Sequence, residues 1–150
     1  MNIELLFFIF GISRVSTLIM AGKLAKKTSV TLITAMIAIS LGLIVAFTSH
    51  SIFEFAISLL LMGYGFSIFF PLTLEIILSK TKKEISGTMI GAYETTFGIG
   101  WAIGPISAGL ISQFFGNDAP YLAFFVFGIS VTILSIIKRK VLIPSQNPNL

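Results

Sequence analysis

Five long apolar runs occupy almost the whole chain, at residues 3–22, 30–48, 54–79, 87–113 and 121–137. Each is close to the roughly twenty residues that a helix needs to cross the hydrocarbon of a bilayer. Only 11% of the residues are charged, and the mean hydropathy is +1.00. A soluble domain carries about 25% charged residues, so a soluble globule is excluded. The expected fold is an all-α integral membrane protein with five transmembrane helices in a single membrane domain, residues 1–150. The tail, 138–150, holds Pro144 and Pro148 and is expected to be loosely ordered. The N-terminal stretch MNIELLFF lacks the positive n-region of a signal peptide, so the first run reads as a retained span.

The charges assign an orientation. Lys23, Lys26 and Lys27 follow the first run, Lys80, Lys82 and Lys83 the third, and Lys138, Arg139 and Lys140 the fifth. The turns after the second and fourth runs, around Ser49-His50-Ser51 and Asn117-Asp118-Pro120, hold no Lys or Arg. With alternating spans, those cations all fall on one side, and the positive-inside rule makes that side the cytoplasm. The N-terminus is then outside and the C-terminus cytoplasmic. The net charge of +4 reports topology rather than nucleic-acid binding. An N-out chain with no signal peptide carries the expectation that further helices precede Met1.

The fourth run is the least uniform. It reads GTMIGAYETTFGIGWAIGPISAGLISQFFG, with glycines at Gly87, Gly91, Gly98, Gly100, Gly104, Gly109 and Gly116. Small-xxx-small steps, Gly87 to Gly91 and Gly100 to Gly104, bare one helix face so that a neighbouring helix can approach closely. Pro105 interrupts the hydrogen-bond ladder and should bend the helix. Small faces, a bend and the buried acid Glu94 suit a part that moves against its neighbours. A tightly packed but static helix is the plainer reading of the same pattern.

Gly63-Tyr64-Gly65-Phe66, then Pro71, a basic loop, Ser86-Gly87, Tyr93-Glu94, Gly98-Ile99-Gly100, Ile103-Gly104-Pro105, Gly109 and Gly116 follow one another in that order. The series resembles the tenth and eleventh helices of a major facilitator superfamily (MFS) transporter. The first run resembles the eighth helix, and Gly22-Lys23-Leu24-Ala25 the start of the loop after it. The resemblance covers essentially the whole chain. It implies helices eight to twelve, a partial C-terminal half of a bundle built from two six-helix halves. The loop departs from the family pattern, because Lys26, Lys27 and Ser29 stand where an acid, an arginine and a glycine are usual. A latch role for that loop is in doubt.

Several polar residues lie within the spans. Arg14 is about 12 Å from the cytoplasmic end of the first run; a cation at that depth faces a partner or a wet cavity, or snorkels to the interface. Glu94 lies about as deep in the fourth run. It has four readings: a partner for Arg14, a ligand for a cationic substrate, a proton carrier, or a neutral acid bonded to a neighbour. Tyr64 and Tyr93 are candidate cavity residues, and Tyr64 serves equally well as packing. Glu75, one turn before Lys80, reads as a solvated end charge or a partner for the basic loop. Gly63, Gly65, Pro71 and Trp101 read first as packing or kink residues. The spans are otherwise poor in amides, so any cavity half built here is mostly apolar and aromatic, which favours hydrophobic or amphipathic substrates.

Enzyme chemistry has no foothold. There is no cysteine, which excludes disulfides and thiolate sites. The single histidine, His50, sits in a turn, and no zinc motif, P-loop or Gly-x-Ser-x-Gly elbow occurs. No metal or other cofactor is expected. The resemblance implies a secondary transporter, a permease or efflux protein of the cell membrane, moving a small solute by alternating access. Its expected partners are the bilayer, a small-molecule substrate with protons as a candidate coupling ion, and the remaining helices of the same transporter or a second membrane chain. The competing class is a non-transporting membrane interaction or assembly module.

Overall fold

A computed structural model describes residues 3–24 and 28–138. Lys26, Lys27, Arg139, Lys140 and the tail lie outside the described residues. Five helices follow in order: α1 (Ile3–Leu24), α2 (Thr28–Thr48), α3 (Ile52–Ser79), α4 (Ser86–Phe115) and α5 (Ala119–Ile137). A short 3-10 turn, Lys83–Ile85, leads into α4. Four of the helices are long and apolar enough to cross a membrane: Val30–Thr48, Ile52–Ser79, Lys83–Phe115 and Ala119–Ile137. At 22 residues, α1 is of comparable length.

The helix ends differ from the apolar runs by one or two residues, for local reasons. α3 begins before Glu54 because Ser51 and Glu54 form a capping box. The Glu54 amide donates to the Ser51 hydroxyl at 3.2 Å, and the Glu54 carboxylate accepts from the amides of His50 at 2.7 Å and Ser51 at 3.2 Å. Three amides that would otherwise lack partners are satisfied in this way. α5 begins two residues before Tyr121, with Pro120 in its first turn, where its missing N–H removes no intrahelical bond. α4 ends where Gly116 turns to φ +99°, a backbone conformation that an L side chain rarely adopts.

The core lies between α2 and α3, with Leu32, Ala35 and Met36 against Ile68 and Leu72. Glycines on α2 and α3 bring the helices close together. A Cβ at Gly42 would fall 2.9 Å from the Ser58 carbonyl oxygen, and one at Gly65 2.7 Å from that of Ala35. A Cβ at Gly63 would fall 2.8 Å from the Ser13 Cβ of α1. There the Ser13 hydroxyl donates across the helices to the Leu60 carbonyl at 2.8 Å. Where packing is this tight, the buried hydroxyls turn back on their own helices. Ser40 donates to Met36, Ser67 to Gly63 and Thr132 to Gly128, at 2.7–3.0 Å, and among the described residues no buried side-chain polar atom lacks a partner.

α2 also packs against α5, whereas α4 touches α5 and α3 through thinner seams. No residue of α4 is buried. A Cβ added at Gly87, Gly91, Gly98, Gly100, Gly104 or Gly109 would meet nothing within 4 Å. Among the described residues, then, the small-residue face of α4 has no helix against it, and close packing falls instead to Gly42, Gly63 and Gly65. The aromatic rings of Tyr93 and Phe97 face α3 and hold α4 off its backbone.

The two internal prolines are treated alike. α3 runs through Pro71 and α4 through Pro105. Two residues after each stands a hydroxyl. Thr73 donates to the carbonyls of Phe69 and Phe70 at 2.7 and 3.1 Å, and Ser107 to those of Ile103 and Gly104 at 2.9 Å each. Proline disturbs the ladder one turn back, and these hydroxyls bond carbonyls on the disturbed turn.

Candidate functional site

Between α1, α3 and α4 lies a cavity of about 260 Å³, lined by Phe10, Arg14, Phe66, Phe70, Phe97 and Trp101. Each helix contributes one pair at i, i+4 spacing: Phe10 and Arg14 from α1, Phe66 and Phe70 from α3, Phe97 and Trp101 from α4. Residues four apart lie one above the other on a helix face. Three such faces converge to give five aromatic rings and one cation. Volume and lining place the cavity just below the range of about 300–1,000 Å³ usual for small-molecule sites, which are apolar with few polar groups.

A triangle of rings forms the α3–α4 wall. Phe70 and Phe97 meet edge to face, with centroids 4.9 Å apart and planes at 86°. Tyr93 lies 5.3 Å from Phe70 and 5.6 Å from Phe97. Edge-to-face geometry sets the positive ring edge of one against the negative face of the other. The Tyr93 hydroxyl donates to the Phe70 carbonyl at 3.0 Å and shares a short hydrogen bond with the Thr73 hydroxyl. Tyr93 therefore stands behind the cavity wall and fixes the position of Phe70 and Phe97.

Arg14 supplies the cavity's charge. Its guanidinium carbon lies 5.7 Å from the centroid of the Phe10 ring, one turn away on the same helix, within reach of a cation–π attraction. Arg14 is exposed, and no carboxylate lines the cavity with it. A guanidinium carries five N–H donors in a planar fork and does not deprotonate in proteins. The other residues lining the space are aromatic and offer it no carboxylate or amide acceptor.

The other candidates from sequence lie elsewhere. Glu94 is exposed on α4; it does not line the cavity, and Arg14 contacts Phe10 in its place. It stands about 10 Å along the helix from Trp101, on the same side, by the helical rise and period. Tyr64 is half-buried and packs against the α2–α3 core. Glu75 and Pro71 are exposed. Phe10, Phe70 and Phe97 are not among the residues that the sequence singles out, Phe66 enters there only as part of the Gly63-Tyr64-Gly65-Phe66 motif, and Trp101 reads as packing. The signal they carried was the repeated i, i+4 spacing of aromatics, with a cation in an apolar run.

A second cavity, of about 820 Å³, opens between α4 and α5 near Phe115, Asn117 and Asp118. A third, of about 600 Å³ between α1 and α3, is lined entirely by apolar residues such as Ile9, Ile52 and Phe53. Neither holds a basic side chain. Among the described residues no cluster of metal-ligating side chains occurs.

The chain matches the family model of the Major Facilitator Superfamily over residues 1–149. No curated protein and no solved structure matches it.

Proposed function

The chain belongs to the major facilitator superfamily of membrane transporters, and on that premise we propose that it forms part of a secondary-active permease or efflux protein of the cell membrane. In this reading the five helices belong to the C-terminal half, and a small solute crosses by alternating access between two halves. The N-terminus is outside and the basic loops are cytoplasmic, as the distribution of Lys and Arg requires.

The observation that carries the proposal is the cavity between α1, α3 and α4. It is walled on three sides by helices of this chain, and α4 beside it has no buried residue. A transport path needs walls on all sides, so the open side is where the opposing half would stand. Glu94, exposed on α4, is the candidate for proton coupling, because an acid at membrane depth is costly unless it has a task or a partner.

The test is uptake into proteoliposomes under an imposed proton gradient, across a panel of small solutes. These 150 residues alone should give no saturable, gradient-dependent uptake, and co-assembly with a complementary set of MFS helices should restore it. Saturable uptake by this chain alone would refute the half-transporter reading. Failure of every complementary set to restore it would favour a non-transporting role.

A further inference from the structure

We propose that the cavity between α1, α3 and α4 binds a small aromatic monocarboxylate, with the carboxylate on Arg14 and the ring among Phe66, Phe70, Phe97 and Trp101. The proposal rests on the transporter reading and narrows its substrate to one chemical class. It joins three observations. The lining is one cation and five rings, with no acid. The contact of that cation is a ring, Phe10 at 5.7 Å, which offers its N–H donors no lone pair. The volume, about 260 Å³, admits a molecule of one or two rings.

The chemistry discriminates by charge. A cup of aromatic faces would by itself attract cations. Here the cup already holds a permanent cation, and a second one inside a low-dielectric space would be repelled. A carboxylate matches the guanidinium fork with two parallel N–H···O bonds, which are strongest where water is scarce. One guanidinium neutralises one carboxylate, so a dianion would carry an unpaired charge into an apolar cavity at high cost. The rest of the ligand meets ring faces and edges, which favour a flat aromatic body over a sugar or an amino-acid zwitterion. The rigid α3–α4 wall, braced by Tyr93 on the Phe70 carbonyl, keeps those ring planes fixed before the ligand arrives.

The chain contains a built-in reporter. Trp101 is its only tryptophan, and it stands in the cavity wall. The purified chain in a non-ionic detergent should be titrated with 4-nitrobenzoate, 4-nitrobenzyl alcohol and 4-nitrobenzylammonium. All three carry the same quenching ring, and they differ in charge. Quenching of Trp101 by the carboxylate should saturate, at about tenfold lower concentration than for the alcohol, a difference of about 1.4 kcal/mol. The ammonium should be weakest. Arg14→Gln should abolish the preference, and Arg14→Lys should keep its direction while weakening it, because a point charge replaces the fork. Equal quenching by all three compounds, or a preference unchanged in Arg14→Gln, would overturn the proposal. The comparison of three charges in the native chain decides the matter even if Arg14→Gln fails to fold. The readout is binding alone, so a failure to transport leaves it intact.

Discussion

The hydroxyl of Tyr93 on α4 donates to the carbonyl of Phe70 on α3 at 3.0 Å. That carbonyl belongs to the residue just before Pro71. In a helix with no buried residue, this bond and the ring contacts around it are the chief attachment of α4 to α3. Tyr93→Phe keeps the ring and removes this bond and the one shared with the Thr73 hydroxyl. It should lower the stability of the folded chain by about 1–2 kcal/mol, at about 1 kcal/mol for each internal hydrogen bond. Tyr93→Ala should cost more, because the contacts with Phe70 and Phe97 go as well. Thermal unfolding in detergent measures both, and equal losses for the two variants would assign the attachment to the hydroxyl alone.

Gly65 and Gly98 look alike in sequence but stand in opposite surroundings. A side chain at Gly65 would press on Ile39 and the Ala35 carbonyl, whereas one at Gly98 would meet nothing. Gly65→Val should destabilise the chain by about 1–3 kcal/mol, as overpacking does. Gly98→Val should change the stability of the isolated chain little. If a second set of helices covers α4, Gly98→Val should impair assembly with them. A detergent melting curve for each variant and a pull-down of the assembled complex separate the two effects.

Cysteine labelling checks the orientation, since the native chain has none to interfere. His50→Cys and Asp118→Cys should react with a membrane-impermeant maleimide in intact cells. Lys82→Cys should react only after permeabilisation. The motive is the placement of the basic loops on one side. Labelling in the reverse pattern would invert the assignment.

Glu94→Gln preserves shape and removes titration. In an assembled transporter it should flatten the pH dependence of uptake while leaving the unfolding temperature within about 0.5 kcal/mol equivalent of the native value, as for other exposed substitutions. A full pH response in the variant would remove Glu94 from the proton path.

The helices were plain in the sequence because the bilayer leaves little freedom. A run such as Val30–Thr48 can satisfy its backbone in hydrocarbon only by coiling. The capping box at Ser51 and Glu54 is legible in the spacing Ser-x-x-Glu, and it places Ile52 and Phe53 inside α3 where a run begun at Glu54 leaves them out. The cavity was harder to see. Its charge, Arg14, stood out as a cation among apolar neighbours. Its rings did not, because the chain has 15 phenylalanines and spacing alone does not tell which of them converge. The glycines misled for a related reason. Small-xxx-small spacing reveals a face that can be approached, and which face is approached depends on partners. In α4 the pattern is dense and the face is open; in α3 two glycines flank Tyr64, and both are in contact.

Those two glycines have a mechanical meaning. Gly63 and Gly65 lie about 200° apart around α3, the first bearing on α1 at Ser13 and the second on α2 at Ala35. At that level α3 presents bare backbone to both neighbours, met by the Ser13 side chain on one side and by Ile39 and the Ala35 carbonyl on the other. Close contact on both sides leaves little slack, so α1, α3 and α2 should move together. α4 stands beside this group, joined to α3 by the Tyr93 hydroxyl and a few rings and to α5 by a second thin seam. Any load on this part of the protein should therefore be carried by the α1–α3–α2 group, and the open glycine face of α4 stays outside it.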